Sequence, residues 1–199
     1  MIFIRSAPKR RYRDYTAYRS LLRSDFHYLC AYCLTHESHL GGEANFAIEY
    51  HRPQNGKYGR PDLASEYTNL YWTCRECNEN KADDWTTPEQ EAEGIRWLDP
   101  CEPWGDHDDH WQITPDGEIR CLTPIGEYTV KKLMLDRREW LKRHWRKLHQ
   151  WQQRRNALIE ILETRDVFAE HRANLEQQIH ELTEWLEPPV FSRPRLRHQ

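Results

Sequence analysis

Two Cys-x-x-Cys pairs, Cys30-Ala31-Tyr32-Cys33 and Cys74-Arg75-Glu76-Cys77, bracket the part of this chain where chemistry is concentrated. Each pair has the spacing of a tight knuckle, and two knuckles can supply four thiolates to one tetrahedral zinc ion. Four of the six cysteines lie in these pairs, which in a reducing compartment favours a metal over disulfides. One ion closed over both pairs draws together two turns that are remote in sequence. Their neighbours are carried along: Glu49, Tyr50, His51 and Arg52 between the pairs, Asn69 shortly before the second, and Asn78 and Lys81 after it.

A carboxylate and a neutral amide oxygen are hard donors suited to Mg2+ or Mn2+, with water in the remaining positions. Glu49 and Asn78 make such a pair, each beside one half of the cysteine frame. An ion held there would stabilise charge developing on a phosphate, and an imidazole poised near neutral pH could deprotonate water. Taken singly, Glu49 reads as a surface carboxylate and His51 as a structural histidine. Their joint placement with Asn69 and Asn78 is what suggests a site. Asp106-His107-Asp108-Asp109-His110 also carries ligand types, but contiguous side chains in a turn rarely converge on one ion, so a solvated acidic loop is expected. Trp140, Trp145 and Trp151 fall at helical spacing and read as core or a docking stripe before a base-stacking platform.

The ordered set of Cys-x-x-Cys, an acid at a strand end before His51-Arg52-Pro53, Asn69-Leu70, and Cys74-x-x-Cys77-Asn78-x-x-Lys81 resembles the HNH nucleases of the ββα-metal fold over residues 30–81. More loosely, through Asp99-Pro100, a hairpin and the chain from Gly126, it resembles the HNH proteins that accompany an ATPase in bacterial anti-phage systems such as Septu and some retrons. The resemblance implies an α+β fold with a zinc-stabilised ββα-metal core, a β-hairpin and a helical C-terminal extension. It implies structural Zn2+ on Cys30, Cys33, Cys74 and Cys77, and catalytic Mg2+ or Mn2+ on Glu49 and Asn78. Asn69 would orient the base through the loop, and Arg52 and Lys81 would meet a phosphate. The implied activity is endonucleolytic hydrolysis of DNA, with RNA as the alternative, in antiviral defence beside an ATPase docked on the helical extension. The family reads acid-His-x-x-Pro, whereas counting back from Pro53 puts Tyr50 in the base position. Three readings stay open. His51 is the base, Tyr50 is the base with help from a nearby cation, or the site only binds nucleic acid as an inactive adaptor. Regular strand geometry places Glu49 and His51 on one face and Tyr50 on the other, which favours His51.

The elements that must position these groups follow from pattern. Residues 1–13 are a basic cluster with little to bury, read as an extended arm. Residues 14–125 form the nuclease domain with its hairpin, 126–188 the helical extension and 189–199 a basic tail. Asp14 is placed to cap a helix that carries Tyr18, Leu22 and Phe26 and delivers Cys30. Phe46 to Tyr50 alternates as a strand stopped by Pro53, and a helix is expected from Asn78. Pro115-Asp116-Gly117 turns a hairpin. Two helices follow, the second over 168–186 and stopped by Pro188-Pro189, and they pair antiparallel. Cys101 and Cys121 are expected as buried small hydrophobes. The net charge of −3 hides a segregation, with basic residues from Arg5 to Arg23 and Lys131 to Arg155 and an acidic middle. That suits a face presented to a polyanion. No apolar run is long enough to span a bilayer, and the N-terminus lacks the apolar stretch of a signal peptide, so a cytoplasmic protein is expected.

Overall fold

A computed structural model describes residues 1–8, 10–164 and 168–186. Lys9 of the basic cluster, the Pro188-Pro189 stop and the basic tail lie outside the described residues. The chain divides into two compact units. The first comprises Met1–Ile113 and Ile119–Arg138, and the second Thr114–Glu118 with the chain from Glu139.

In the first unit Asp14 accepts the Thr16 N–H and caps a 3-10 turn that leads into α1, Arg19–Asp25. The helix ends before Cys30, because His27 and Tyr28 take positive φ of 52° and 61°, and left-handed backbone cannot continue a right-handed helix. The expected extended arm is a packed strap instead. Phe3 is fully buried against Phe26, and its N–H donates to the Pro100 carbonyl at 2.8 Å. The Arg5 guanidinium lies 4.4 Å from the Tyr71 ring centre and donates to the Tyr67 and Leu70 carbonyls. Arg11, Arg19 and Arg23 pair with Glu66, Glu43 and Glu37, so most of this basic cluster is engaged within the unit.

β1, Phe46–Tyr50, matches its expected span and pairs antiparallel with β2, Leu70–Cys74, setting Glu49 opposite Tyr71. Every residue of β2 is buried, so both faces of this strand are covered. Without a linker the chain enters α2, Arg75–Lys81, which packs on both strands. α2 starts three residues before Asn78 because Cys74 has the extended backbone of an N-cap, which puts Cys77 in the first turn. Then come α3, Pro88–Ala92, opened by a capping box between Thr87 and Gln90, and α4, His107–His110. The expected acidic loop is thus a helical turn with both histidines buried. The His107 ring nitrogens lie 2.8 Å from the Ala31 carbonyl and 3.0 Å from the Met1 carbonyl, joining the N-terminus to the first cysteine knuckle.

β3, Trp111–Ile113, and β4, Ile119–Cys121, form the second antiparallel pair. α5, Pro124–Lys132, is capped by Thr123 and belongs to the first unit, where Thr129 accepts the Leu98 N–H. Glycine is required at position 126, since a Cβ there would stand 2.1 Å from the His110 carbonyl oxygen. Cys101 is half-buried and Cys121 exposed, so the second is not the buried hydrophobe expected of it.

The second unit holds α6, Glu139–Thr164, and α7, Ala169–Leu186. The two run antiparallel, with Trp151 against Trp185 and Arg154 donating to Gln178. Leu141 and Trp145 are buried. No described helix is long and apolar enough to cross a membrane.

Candidate functional site

The two knuckles meet. Cys30, Cys33, Cys74 and Cys77 are all buried, their sulfurs within 4.8 Å of one another and those of Cys33 and Cys74 3.9 Å apart. Four thiolates about 2.3 Å from a central zinc stand roughly 3.8 Å apart in a tetrahedron, so the cluster can hold a structural metal such as zinc. The first knuckle is closed by Leu34, at φ 56°, donating to the Cys30 carbonyl, and by Cys30 donating to Thr35. The second is the N-cap and first turn of α2. Sulfurs this close cannot all ionise without a cation. Hydrogen bonds from its neighbours hold Cys33 well below the usual thiol value, while those neighbours push Cys74 up and burial pushes Cys77 up. Behind the cluster, the buried Arg138 sets Nη1 3.3 Å from the Cys77 sulfur and Nε 3.1 Å from Glu76.

Glu49 sits at the end of β1 in a buried ion pair. Its Oε1 is 2.7 Å from the Lys81 ammonium, and its Oε2 accepts the Tyr32 hydroxyl at 3.1 Å. Burial raises the Glu49 carboxyl above its usual value, opposed by the charge and hydrogen bond of Lys81 and by Tyr32. Lys81, expected at a phosphate, is fully buried and also donates to the Tyr50 carbonyl at 3.0 Å. Glu49 and Asn78 line one cavity of about 280 Å³ together with Tyr50, Gln54 and Asp83. The structure therefore brings the expected acid and amide to one opening. Both oxygens of Glu49 are nevertheless engaged by protein donors, one of them a full positive charge. As arranged, this pair does not fit a divalent ion. Among the described residues the cysteine cluster alone gathers three or more His, Cys, Asp or Glu ligands for a metal.

Strand alternation holds past β1. Tyr50 packs its ring 5.3 Å from Tyr15, and burial raises its phenol further above neutrality. His51 shares the Tyr32 hydroxyl with Glu49, its Nδ1 lying 3.4 Å from that oxygen. On its other side Nε2 lies 3.6 Å from Asp99, and the ring rests on Tyr71 and meets Trp85 edge-on. Burial lowers the His51 pKa to about 4 against the raising pull of Asp99, so the imidazole is neutral at pH 7. His51 opens into a second cavity, of about 310 Å³, with Arg52, Trp85 and Asp99. Although Glu49 and His51 meet at Tyr32, they line different openings, Glu49 with Tyr50 and Asn78 and His51 with Arg52.

Asn69 holds the turn between them. Its Oδ1 accepts the Arg52 N–H at 2.8 Å, its Nδ2 donates to the Arg52 carbonyl at 3.0 Å, and its own carbonyl accepts the His51 N–H at 2.9 Å. Asn69→Ala removes the side-chain pair and leaves part-buried backbone groups of Arg52 without these partners, for a loss of about 1–2 kcal/mol. Denaturant unfolding is the measurement, with metal content unchanged. A variant as stable as the parent would show that the clamp is incidental. Arg52 itself donates Nε to the Tyr58 carbonyl and stacks 4.4 Å over Trp85.

Tyr32 and Asp99, which flank His51, carry no cue to that role in their local spacing, since each reaches it only through the folded chain. No protein-family model, curated protein or solved structure matches the chain.

Proposed function

We propose that this chain is an HNH-type phosphodiesterase acting on nucleic acid, an endonuclease in which β1, β2 and α2 form the ββα core. The observation that carries the reading is that Glu49 of β1 and Asn78 of α2 line one opening beside a buried four-cysteine clamp. The order of elements and the neutral imidazole next along the chain support it. The ion in the clamp is zinc, held by Cys30, Cys33, Cys74 and Cys77, and its contribution there is a structural crosslink. The Mg2+ or Mn2+ that the resemblance implies at Glu49 and Asn78 does not fit while Lys81 holds that carboxylate. The chemistry of this chain's own residues is that of His51 and its neighbours. A neutral imidazole can take a proton from an attacking water. Asn69 fixes the backbone that carries it, and Arg52 offers a guanidinium beside it to a phosphate oxygen. The setting that the resemblance suggests, antiviral defence beside an ATPase bound through α6 and α7 in the cytoplasm, belongs to the same proposal.

The test is incubation of the purified full chain with plasmid DNA in Mg2+ or Mn2+. His51→Ala is expected to lower cleavage about 10²–10⁴-fold, and Arg52→Ala and Asn78→Ala to impair it. No cleavage with either ion, or cleavage indifferent to all three substitutions, would overturn the reading. The Lys81–Glu49 pair favours one rival, an adaptor that binds nucleic acid without cutting it. Binding that persists with no turnover, and that ignores changes at Glu49 and Asn78, is its signature.

A further inference from the structure

The cavity beyond His51 is lined by indole rings and guanidiniums. Trp85 and Trp104 line it with indole rings, the buried Trp97 closes it, and Arg52 and Arg96 supply guanidiniums. Trp85 is fixed by donating its indole N–H to Glu91 at 3.1 Å and by the stacked Arg52. Trp97 is buried, and its indole N–H meets no acceptor among the described residues. Trp104 is 37% exposed and lies 5.5 Å from the Arg96 guanidinium carbon. The two acids at this cavity are already bonded by protein donors. Asp99 accepts from the Tyr71 hydroxyl and the Cys101 N–H, and Glu91 from Trp85 and Thr86. Arg52 lies 4.0 Å from Glu91, whereas Arg96 meets Trp104 and pairs with no carboxylate among the described residues, so it can take an incoming anion.

Indole faces bind bases by stacking whatever the sequence, and guanidiniums match phosphate oxygens. At about 310 Å³ the cavity is at the small end of ligand sites, and it has no room for a base pair with its stacked neighbours. A base can enter only when unpaired, because in a duplex both faces are covered. We infer that this cavity binds one unpaired nucleotide of single-stranded DNA, its base against the exposed indole of Trp104 and its phosphate at Arg96, next to His51. This deepens the nuclease reading, on which it rests for nucleic acid as the substrate, by assigning a strand state to that substrate.

The experiment measures binding without cleavage. The full zinc-loaded chain is titrated into a short fluorescein-labelled single strand, and separately into the same strand annealed to its complement, with no added Mg2+ or Mn2+. Anisotropy is expected to show the single strand bound about tenfold more tightly, with Arg96→Ala and Trp104→Ala each weakening it about tenfold. Both side chains are exposed, so circular dichroism and zinc content should match the parent. Equal or tighter duplex binding overturns the inference, as does single-strand binding unchanged in both variants. A protein that binds single strands through Arg96 and Trp104 but cuts nothing leaves this site standing and sinks the nuclease reading alone. One that cuts duplex DNA through His51 with both variants unimpaired does the reverse.

Discussion

Cys74→Ser is expected to unfold the first unit as a whole. Among the described residues neither sheet has more than two strands, and an isolated hairpin is marginal in water. The first knuckle and the start of α2 supply the four ligands, and His107 ties the N-terminus to the first knuckle through the Met1 and Ala31 carbonyls. A structural zinc in such a site contributes about 10–16 kcal/mol at neutral pH, as much as the whole net stability of about 5–15 kcal/mol typical of a domain. Losing one ligand therefore leaves too little to hold the unit. Metal analysis should find zinc in the parent and not in the variant, and the amides of β1 and β2 should lose their protection from hydrogen exchange. Far-UV dichroism will fall only in part if α6 and α7 remain helical. Cys121→Ser, at an exposed position, is the control and should change nothing. A Cys74→Ser protein that melts where the parent does would refute the clamp.

Lys81→Met should destabilise the protein by about 3–5 kcal/mol, because it keeps the volume but leaves the buried Glu49 carboxylate without its partner. Glu49→Gln should cost a similar amount by stranding the ammonium. The double variant should be much closer to the parent than the sum of the two, since neither buried charge then remains. The acid dependence has a definite sign. Burial raises the folded-state pKa of Glu49, so its ionisation works against folding as pH climbs through that raised value. Below the usual carboxylate range the group is neutral in both states and the conflict is absent. Removing Lys81 sharpens this, so the deficit of Lys81→Met should shrink steadily as the solution is acidified. A deficit that is flat with pH, or that grows in acid, would mean that Glu49 is not the group left unpaired.

The sequence was most informative where local pattern and covalent spacing decide structure. The alternation of Phe46 to Tyr50 set the strand and the face shared by Glu49 and His51. The two knuckles set the cluster and Pro115-Asp116-Gly117 the hairpin turn, whereas the apolar stripe after Gly126, which reads as one helix, is broken around Leu135–Arg137 into α5 of the first unit and α6 of the second. What was not legible depends on partners remote in the chain. Lys81 ends α2, and spacing alone does not say whether a long cationic side chain turns out to a phosphate or in to Glu49. Met1 to Arg5 has too few residues to show a period, yet Phe3 and Arg5 find Phe26 and Tyr71. His107 and His110 look like an exposed ligand run until one helical turn points both inward. The members of the Trp85, Arg96 and Trp104 cavity are scattered through a proline-punctuated segment with no repeat, so spacing does not gather them.

The guanidinium of Arg138 has a bearing on how the cysteine centre ages. A divalent ion wrapped by four thiolates keeps two excess negative charges, and the cation 3.3 Å from Cys77 draws electron density from that sulfur. Peroxides attack the most electron-rich sulfur they can reach. With a metal in place, Cys77 would therefore be less nucleophilic toward an oxidant than it would be without Arg138 beside it.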